Sequence, residues 1–264
     1  MNLLSIFIIF IVSIIADALG FYKFAYFVSL GYNLSVVANS VILLIMFNKN
    51  LTFATVILLV VLIMYGLRLG IYLFIREHKS NSFRNKINNE RKNSSDMSFS
   101  GKCSTWIGCA SIYACEVSPL FFRLSNGTPD NMMAYLGMII AILGFLFESI
   151  GDQQKFNAKK KNPTSFVSSG LYKYVRCPNY LGEILVWTGV FLSGITSYKN
   201  IWQWTISLFG YLCILSVMLS AVRSLEGRQN KAYGNDKKYQ EYIKKTPIII
   251  PFVPIYTFGA KVKV

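Results

Sequence analysis

Gly170-Leu171-Tyr172-Lys173-Tyr174-Val175-Arg176-Cys177-Pro178-Asn179-Tyr180-Leu181-Gly182-Glu183 joins a polar, aromatic and basic junction directly to a membrane-length apolar run. Pro178 suits the first position of a helix, where its missing N–H would have had no partner anyway. The sequence therefore predicts a helix that begins at about Pro178, with Cys177 flanking it. Arg176 then stands beside the positive end of the helix dipole, near free backbone N–H groups, a place for a phosphate at the membrane edge. Asn179 and Glu183, four residues apart, share one face of the first turns. Tyr172, Lys173, Tyr174 and Arg176 also suit a plain interfacial anchor at headgroup depth. Glu183 does not, because an unpaired acid inside the span costs about 2.5–3.5 kcal/mol.

The rest of the chain supports a membrane setting. Of 264 residues, 53% are hydrophobic, 15% aromatic and only 15% charged, which is too apolar for an ordinary soluble domain. The net charge of +15 would suit nucleic acid, but the basic residues fall in loops between apolar runs and not along one soluble face. Cysteines at 103, 109, 115, 177 and 213 form no metal-ligand or disulfide spacing, and His78 is the only histidine. A histidine-based metal site and a Ser-His-Asp triad are thereby set aside, and no metal is expected.

Apolar runs of spanning length fall at about Leu3–Ile15, Phe24–Phe47, Leu51–Phe74, Ser104–Phe122, Met132–Ile150, Tyr180–Ile195 and Ile201–Ala221. The first lacks the basic start and cleavage site of a signal peptide and is read as a retained span. A polar segment over 77–103, rich in Asn, Ser, Lys and Arg, reads as a solvated cytoplasmic loop. Seven spans place 23 of the 27 Lys and Arg residues on one side, against Lys49, Arg123 and Lys199 on the other, with Arg68 inside a span. The positive-inside rule makes the basic side cytoplasmic. The expected fold is thus all-α: one polytopic membrane helix bundle over 1–264 of about seven transmembrane helices, N-terminus outside and C-terminus cytoplasmic. An endoplasmic reticulum membrane and a bacterial inner membrane both fit this topology.

Further polar residues stand where a bilayer should exclude them. Glu148 and Asp152 lie four apart at the cytoplasmic end of the fifth span, where like charges repel unless a proton, a cation or ligand hydroxyls offset them. The other reading is that this helix simply leaves the bilayer there and both acids are wet. In the third span Tyr65, Arg68 and Tyr72 recur at helical-neighbour spacing, with Arg76 two turns beyond Arg68. Arg68 is too deep for easy snorkelling, whereas Arg76 is equally well read as an anchor. In the tail, Tyr239 and Tyr242 lie three apart on a short amphipathic helix, suited to interface packing or to stacking on a planar ligand.

Taken together, the Tyr65–Arg76 segment, Glu148 with Asp152, the Gly170–Glu183 stretch, and the Glu226, Tyr233-Gly234, Tyr239, Tyr242, Pro251 tail resemble the C-terminal domain of the membrane steroid 5α-reductase family, including its prokaryotic members of unassigned substrate. Order and spacing match over roughly residues 60–252, while residues 1–59 hold the first two spans and lie outside the resemblance. The resemblance implies a seven-helix bundle that binds NADPH from the cytoplasmic side and reduces a C=C bond conjugated to a carbonyl in a lipophilic substrate. It implies that Arg68, Arg76 and Arg176 neutralise cofactor phosphates, for which a guanidinium fork is well shaped. Glu148, Asp152, Asn179 and Glu183 would hold ribose hydroxyls or the nicotinamide amide, and Tyr172, Tyr174, Tyr180, Tyr239 and Tyr242 complete the cofactor set. Tyr65 would be the catalytic residue, donating to the substrate carbonyl as hydride arrives. The chain departs from the family at Cys177, where a histidine is common, and in its first two spans, which hold no Glu and only Asp17.

Two other functions compete. Isoprenylcysteine carboxyl methyltransferases share a Gly-x-Tyr…Arg-x-Pro…Tyr turn and a similar tail, but bind S-adenosylmethionine, which has no phosphate. A non-catalytic lipid-binding or scaffold protein is the third class, against which the acids within the spans argue. The sequence contains no Gly-x-Gly-x-x-Gly or Walker stretch.

Overall fold

Apolar runs entering a bilayer become helices because a helix pairs its backbone N–H and C=O groups within its own segment. The computed structural model describes residues 3–79, 85, 87–88 and 97–259. Among the described residues the chain forms no strand and eight α-helices: α1 (Leu3–Asp17), α2 (Leu30–Met46), α3 (Phe53–Lys79), α4 (Phe99–Ser125), α5 (Met132–Lys161), α6 (Pro178–Gly194), α7 (Ile201–Tyr233) and α8 (Lys237–Lys245). Five of them, α3 to α7, are long and apolar enough to cross a membrane, whereas α1 and α2 are shorter apolar helices.

Where the helices differ from the apolar runs, local chemistry supplies the reason. The run from Phe24 to Phe47 is not one helix: Phe24–Val28 is a 3-10 turn and α2 starts at Leu30. The run is interrupted at Ser29, whose backbone leaves helical geometry at φ −132 and ψ −91. The remaining 17 residues of α2 reach about 25 Å at 1.5 Å per residue. At the other boundary α4 begins at Phe99, earlier than the apolar run, because Ser98 caps it by accepting the Gly101 N–H at 3.2 Å. The polar loop expected over 77–103 is therefore bounded by helix at Lys79 and Phe99, and most of it lies outside the described residues. Both α5 and α7 run on past Ile150 and Ala221 into polar sequence, ending at Lys161 and Tyr233.

The chain divides into two units, Met1–Met138 with Gly189–Tyr211, and Ile139–Thr188 with Leu212–Val264. In the first unit the loops after α2, α4 and α6 are bonded to one another. Asn50 donates to the Leu124 carbonyl at 2.9 Å, the Thr52 hydroxyl and the Ala54 N–H donate to Asp130 at 2.6 and 2.9 Å, and Asn126 donates to the Ser197 carbonyl at 2.7 Å. The segment after α1 meets the end of α3 instead: Lys23 Nζ lies 2.5 Å from Glu77 Oε1, and the Tyr26 hydroxyl donates to Glu77 Oε2 at 2.9 Å. That bond to Glu77 holds the Lys23 ammonium above its usual range. These contacts join the loops that follow α2, α4 and α6 to one another, and the segment after α1 to the end of α3.

In the second unit Ile248 and Ile249 of the tail pack with Cys177 and Val222 in a small core, to which Tyr180, Leu181 and Ile184 of α6 and Leu225 of α7 add their apolar surface. Lys159 at the end of α5 donates to the Tyr233 hydroxyl at 2.7 Å, and the Leu171 N–H donates to Gln154 Oε1 at 2.9 Å. The segment after α5 is thereby tied to α5, and the end of α5 to the end of α7.

Candidate functional site

Small residues recur every seven positions on α5, at Gly137, Gly144 and Gly151, and on α6, at Gly182 and Gly189. Within the second unit this spacing lets the two backbones touch. A Cβ on Gly182 would stand 2.5 Å from Glu148 N and 2.7 Å from the Gly144 carbonyl oxygen, and one on Gly144 would stand 2.5 Å from Val186 N. A Cβ on Gly151 would lie 3.2 Å from Asn179 N. Close approach through small residues is the usual way two helices pack in a bilayer. Here it has a chemical result: Glu148 sits against Gly182, the residue before Glu183, and Asp152 follows the glycine that meets Asn179.

The four polar residues that the sequence places on two separate helix faces are thus carried by two closely packed helices, at or next to the contacting positions. Glu148, Asp152 and Glu183 are only 2%, 5% and 8% exposed. Asn179 is half-buried, and its Oδ1 is buried without a hydrogen-bond partner. Three carboxyl groups withdrawn from water on two packed helices concentrate hydrogen-bond acceptors there. The Asn179 oxygen adds an acceptor for an N–H or O–H.

The junction before α6 holds the seam from one end. As its proline predicts, α6 begins at Pro178. Arg176 is buried, its Nη2 lying 3.2 Å from Glu226 Oε1 and donating also to the Tyr256 carbonyl. The second Glu226 oxygen accepts the Phe258 N–H at 3.0 Å, and the Arg176 N–H donates to the Pro247 carbonyl at 2.9 Å. Arg176 Nε is buried without a hydrogen-bond partner. Cys177 is a packing residue, and burial pushes its thiol up to about 11.

Of the five tyrosines that the resemblance assigns to a cofactor, three are anchored by the fold. The Tyr172 hydroxyl donates to the Gly151 carbonyl at 3.2 Å, while the Tyr172 carbonyl accepts from the Tyr242 hydroxyl at 2.6 Å. Tyr239 donates to Asn230 Oδ1 at 2.8 Å, and burial pushes its phenol up to about 12. Phe166 stacks on Tyr242 with centroids 5.4 Å apart. Tyr180 is half-buried against the tail core, and Tyr174 is exposed.

The first unit holds the other expected residues. Tyr65 is fully buried in α3, its hydroxyl 3.0 Å from that of Tyr32 and the two rings edge to face at 6.5 Å. Tyr32 on α2 is a partner that the sequence does not signal, since it stands in an apolar run with no motif around it. Arg68 is half-buried and Arg76 exposed. Asn230, one helical turn after Glu226 on the same face of α7, likewise stands in no motif that marks it.

A family model described as "Protein of unknown function (DUF1295)" matches residues 13–246. Among curated relatives, the uncharacterized protein C594.04c of Schizosaccharomyces pombe is 24% identical over 148 residues, covering 48% of this chain and 42% of the relative. The uncharacterized protein C9.08c of the same yeast is 26% identical over 136 residues, 45% of this chain and 44% of the relative. Steroid 5-alpha-reductase DET2 of Arabidopsis thaliana is 31% identical over 121 residues, 45% of this chain and 41% of the relative. The matched stretch is less than half the length of each of these relatives. No solved structure matches the chain.

Proposed function

The chain belongs to the DUF1295 family, and from that premise we propose that it is a multi-pass membrane reductase that uses NADPH to reduce a C=C bond conjugated to a carbonyl in a lipophilic substrate. The observation that carries this reading is the α5–α6 seam, where Glu148, Asp152 and Glu183 are withdrawn from solvent beside the unpartnered Asn179 oxygen. Such a set fits the hydroxyl-rich and amide-bearing half of a nicotinamide dinucleotide better than it fits a hydrocarbon. The likeness to a protein named a steroid 5-alpha-reductase supports the same class of chemistry.

In this reading α3 to α7 and the two shorter helices α1 and α2 make seven crossings, with the basic loops cytoplasmic. Glu148, Asp152 and Glu183 accept hydrogen bonds from ribose hydroxyls or the carboxamide, and the Asn179 oxygen accepts an N–H. Arg68, Arg76 and Arg176 would neutralise phosphate charge, while Arg176 Nη2 keeps its bonds to Glu226 and the tail. When bound, NADPH supplies a hydride to the alkene carbon remote from the carbonyl. The Tyr65 hydroxyl donates to the carbonyl oxygen and stabilises the negative charge that develops there. A proton from water would then add to the carbon next to the carbonyl, so that one hydride and one proton saturate the double bond.

The test is thermal unfolding of the detergent-purified protein with NADPH, NADH and S-adenosylmethionine in parallel. A ligand present at a hundred times its dissociation constant adds about 2.7 kcal/mol to the folded state. NADPH is expected to raise the midpoint. A rise with S-adenosylmethionine alone would make the protein a methyltransferase. No rise with any of the three would favour a non-catalytic lipid-binding role.

A further inference from the structure

The tail beyond α8 forms a loop that no part of the reductase chemistry uses. The Ile248 N–H donates to the Ile255 carbonyl at 2.8 Å, closing residues 248–255 into a tight turn between Pro251 and Pro254. At its tip Phe252 adopts φ +65, a conformation that L side chains other than Asn and Asp rarely take. That backbone turns the ring away from the protein, leaving Phe252 90% exposed. Ile250, Val253, Ile255 and Tyr256 are exposed beside it. Five apolar side chains displayed by a braced loop are not the random scatter of single hydrophobics found on any surface.

The position of the loop says what covers it. Ile248 and Ile249, at its base, pack on Cys177, Tyr180, Leu181 and Ile184, which are the flanking residue and first turns of α6, where the apolar run begins. Arg176, just ahead of that run, holds the Tyr256 carbonyl. The loop therefore stands at the level where α6 enters the bilayer. Lys244 and Lys245, exposed in the last turn of α8, precede it in the chain, and Lys173 is exposed in the junction. Apolar and aromatic groups with a lysine fringe match the boundary between acyl chains and anionic headgroups.

We infer that residues 250–256 are an interfacial wedge, with Phe252 seated among the headgroups and upper acyl chains of an anionic leaflet. The wedge rests on the membrane placement of α6 and not on the identity of the cofactor. Because Arg176 and Glu226 tie it to the start of α6, the lipid surface braces the same junction that carries the seam.

Phe252→Trp tests this with little risk to folding, since the side chain it replaces has almost no protein around it. The protein is placed in nanodiscs of phosphatidylglycerol and phosphatidylcholine, the latter brominated near the headgroup end of its acyl chains, and tryptophan emission is compared with wild type. The added residue should emit at a blue-shifted wavelength, be quenched by the bromolipid and be protected from aqueous iodide. Emission at the solvent wavelength, quenched by iodide and not by bromolipid, would overturn the wedge. The native Trp202, exposed at the start of α7, separates the two premises. If it is quenched by bromolipid and Trp at 252 is not, the wedge alone fails; if neither is quenched, the membrane placement fails first.

Discussion

Arg176→Ala is expected to lower the stability of the second unit by about 3–5 kcal/mol, the usual result of removing one partner of a buried ion pair. Both members are buried, Arg176 at 2% and Glu226 at 3% exposure, so the alanine variant leaves a carboxylate in the interior with its countercharge gone. The tail loses its anchor as well, because the Tyr256 carbonyl and the Phe258 N–H are held by this pair. Thermal unfolding and limited proteolysis measure the two effects, and new cleavage after α8 should accompany the drop in midpoint. Arg176→Met combined with Glu226→Met should recover most of the stability, because the desolvation cost disappears along with the attraction. If Arg176→Ala melts like wild type, the guanidinium does not hold the tail.

Gly182→Val should have a comparable effect by a different route. The new Cβ would meet Glu148 N at 2.5 Å and the Gly144 carbonyl oxygen at 2.7 Å, and both are backbone atoms that cannot rotate aside. Either α5 and α6 move apart or the site residues lose their register, and overpacking of this kind costs about 1–3 kcal/mol or more. The variant should lose NADPH-dependent stabilisation even where it remains folded. Gly227→Ala is the matched control. It lies inside α7 with no atom within 4 Å of its added methyl, so the gain in helix propensity of about 0.8–1.0 kcal/mol should raise the midpoint slightly. Equal effects from the two substitutions, measured by thermal unfolding with and without NADPH, would show that the seam is not closed through its glycines.

How much of this was legible beforehand follows from the range of each signal. The start of α6 could be read at Pro178 because proline constrains φ at its own position. The pairs Glu148 with Asp152, and Asn179 with Glu183, could be read because polar residues four apart in an apolar run stand out without any tertiary knowledge. That the two pairs share a seam could not, since it depends on glycines in two helices meeting in one register. Nor could the pairing of Arg176 with Glu226, fifty positions apart, or that of Tyr32 with Tyr65; such contacts leave no local periodicity. The shortened second helix shows a different limit. Hydropathy treats Phe24 to Phe47 as one run, while the backbone departs from helical geometry at Ser29, between a 3-10 turn and α2. Similarly, the polar start of α4 resembled loop, and only the Ser98 cap marks it as helix.

Calorimetric titration of NADPH into nanodisc-embedded wild type and Glu183→Gln goes most directly to the central claim, that the buried acids of the α5–α6 seam hold a dinucleotide. The substitution keeps the shape of the side chain and removes its charge, and a hydrogen bond to a charged group contributes about 1.5–3 kcal/mol. The predicted result is saturable binding to wild type, weakened about tenfold or more in Glu183→Gln, with the unliganded melting midpoints alike. Equal affinity in the two proteins, or no binding to wild type, would contradict it.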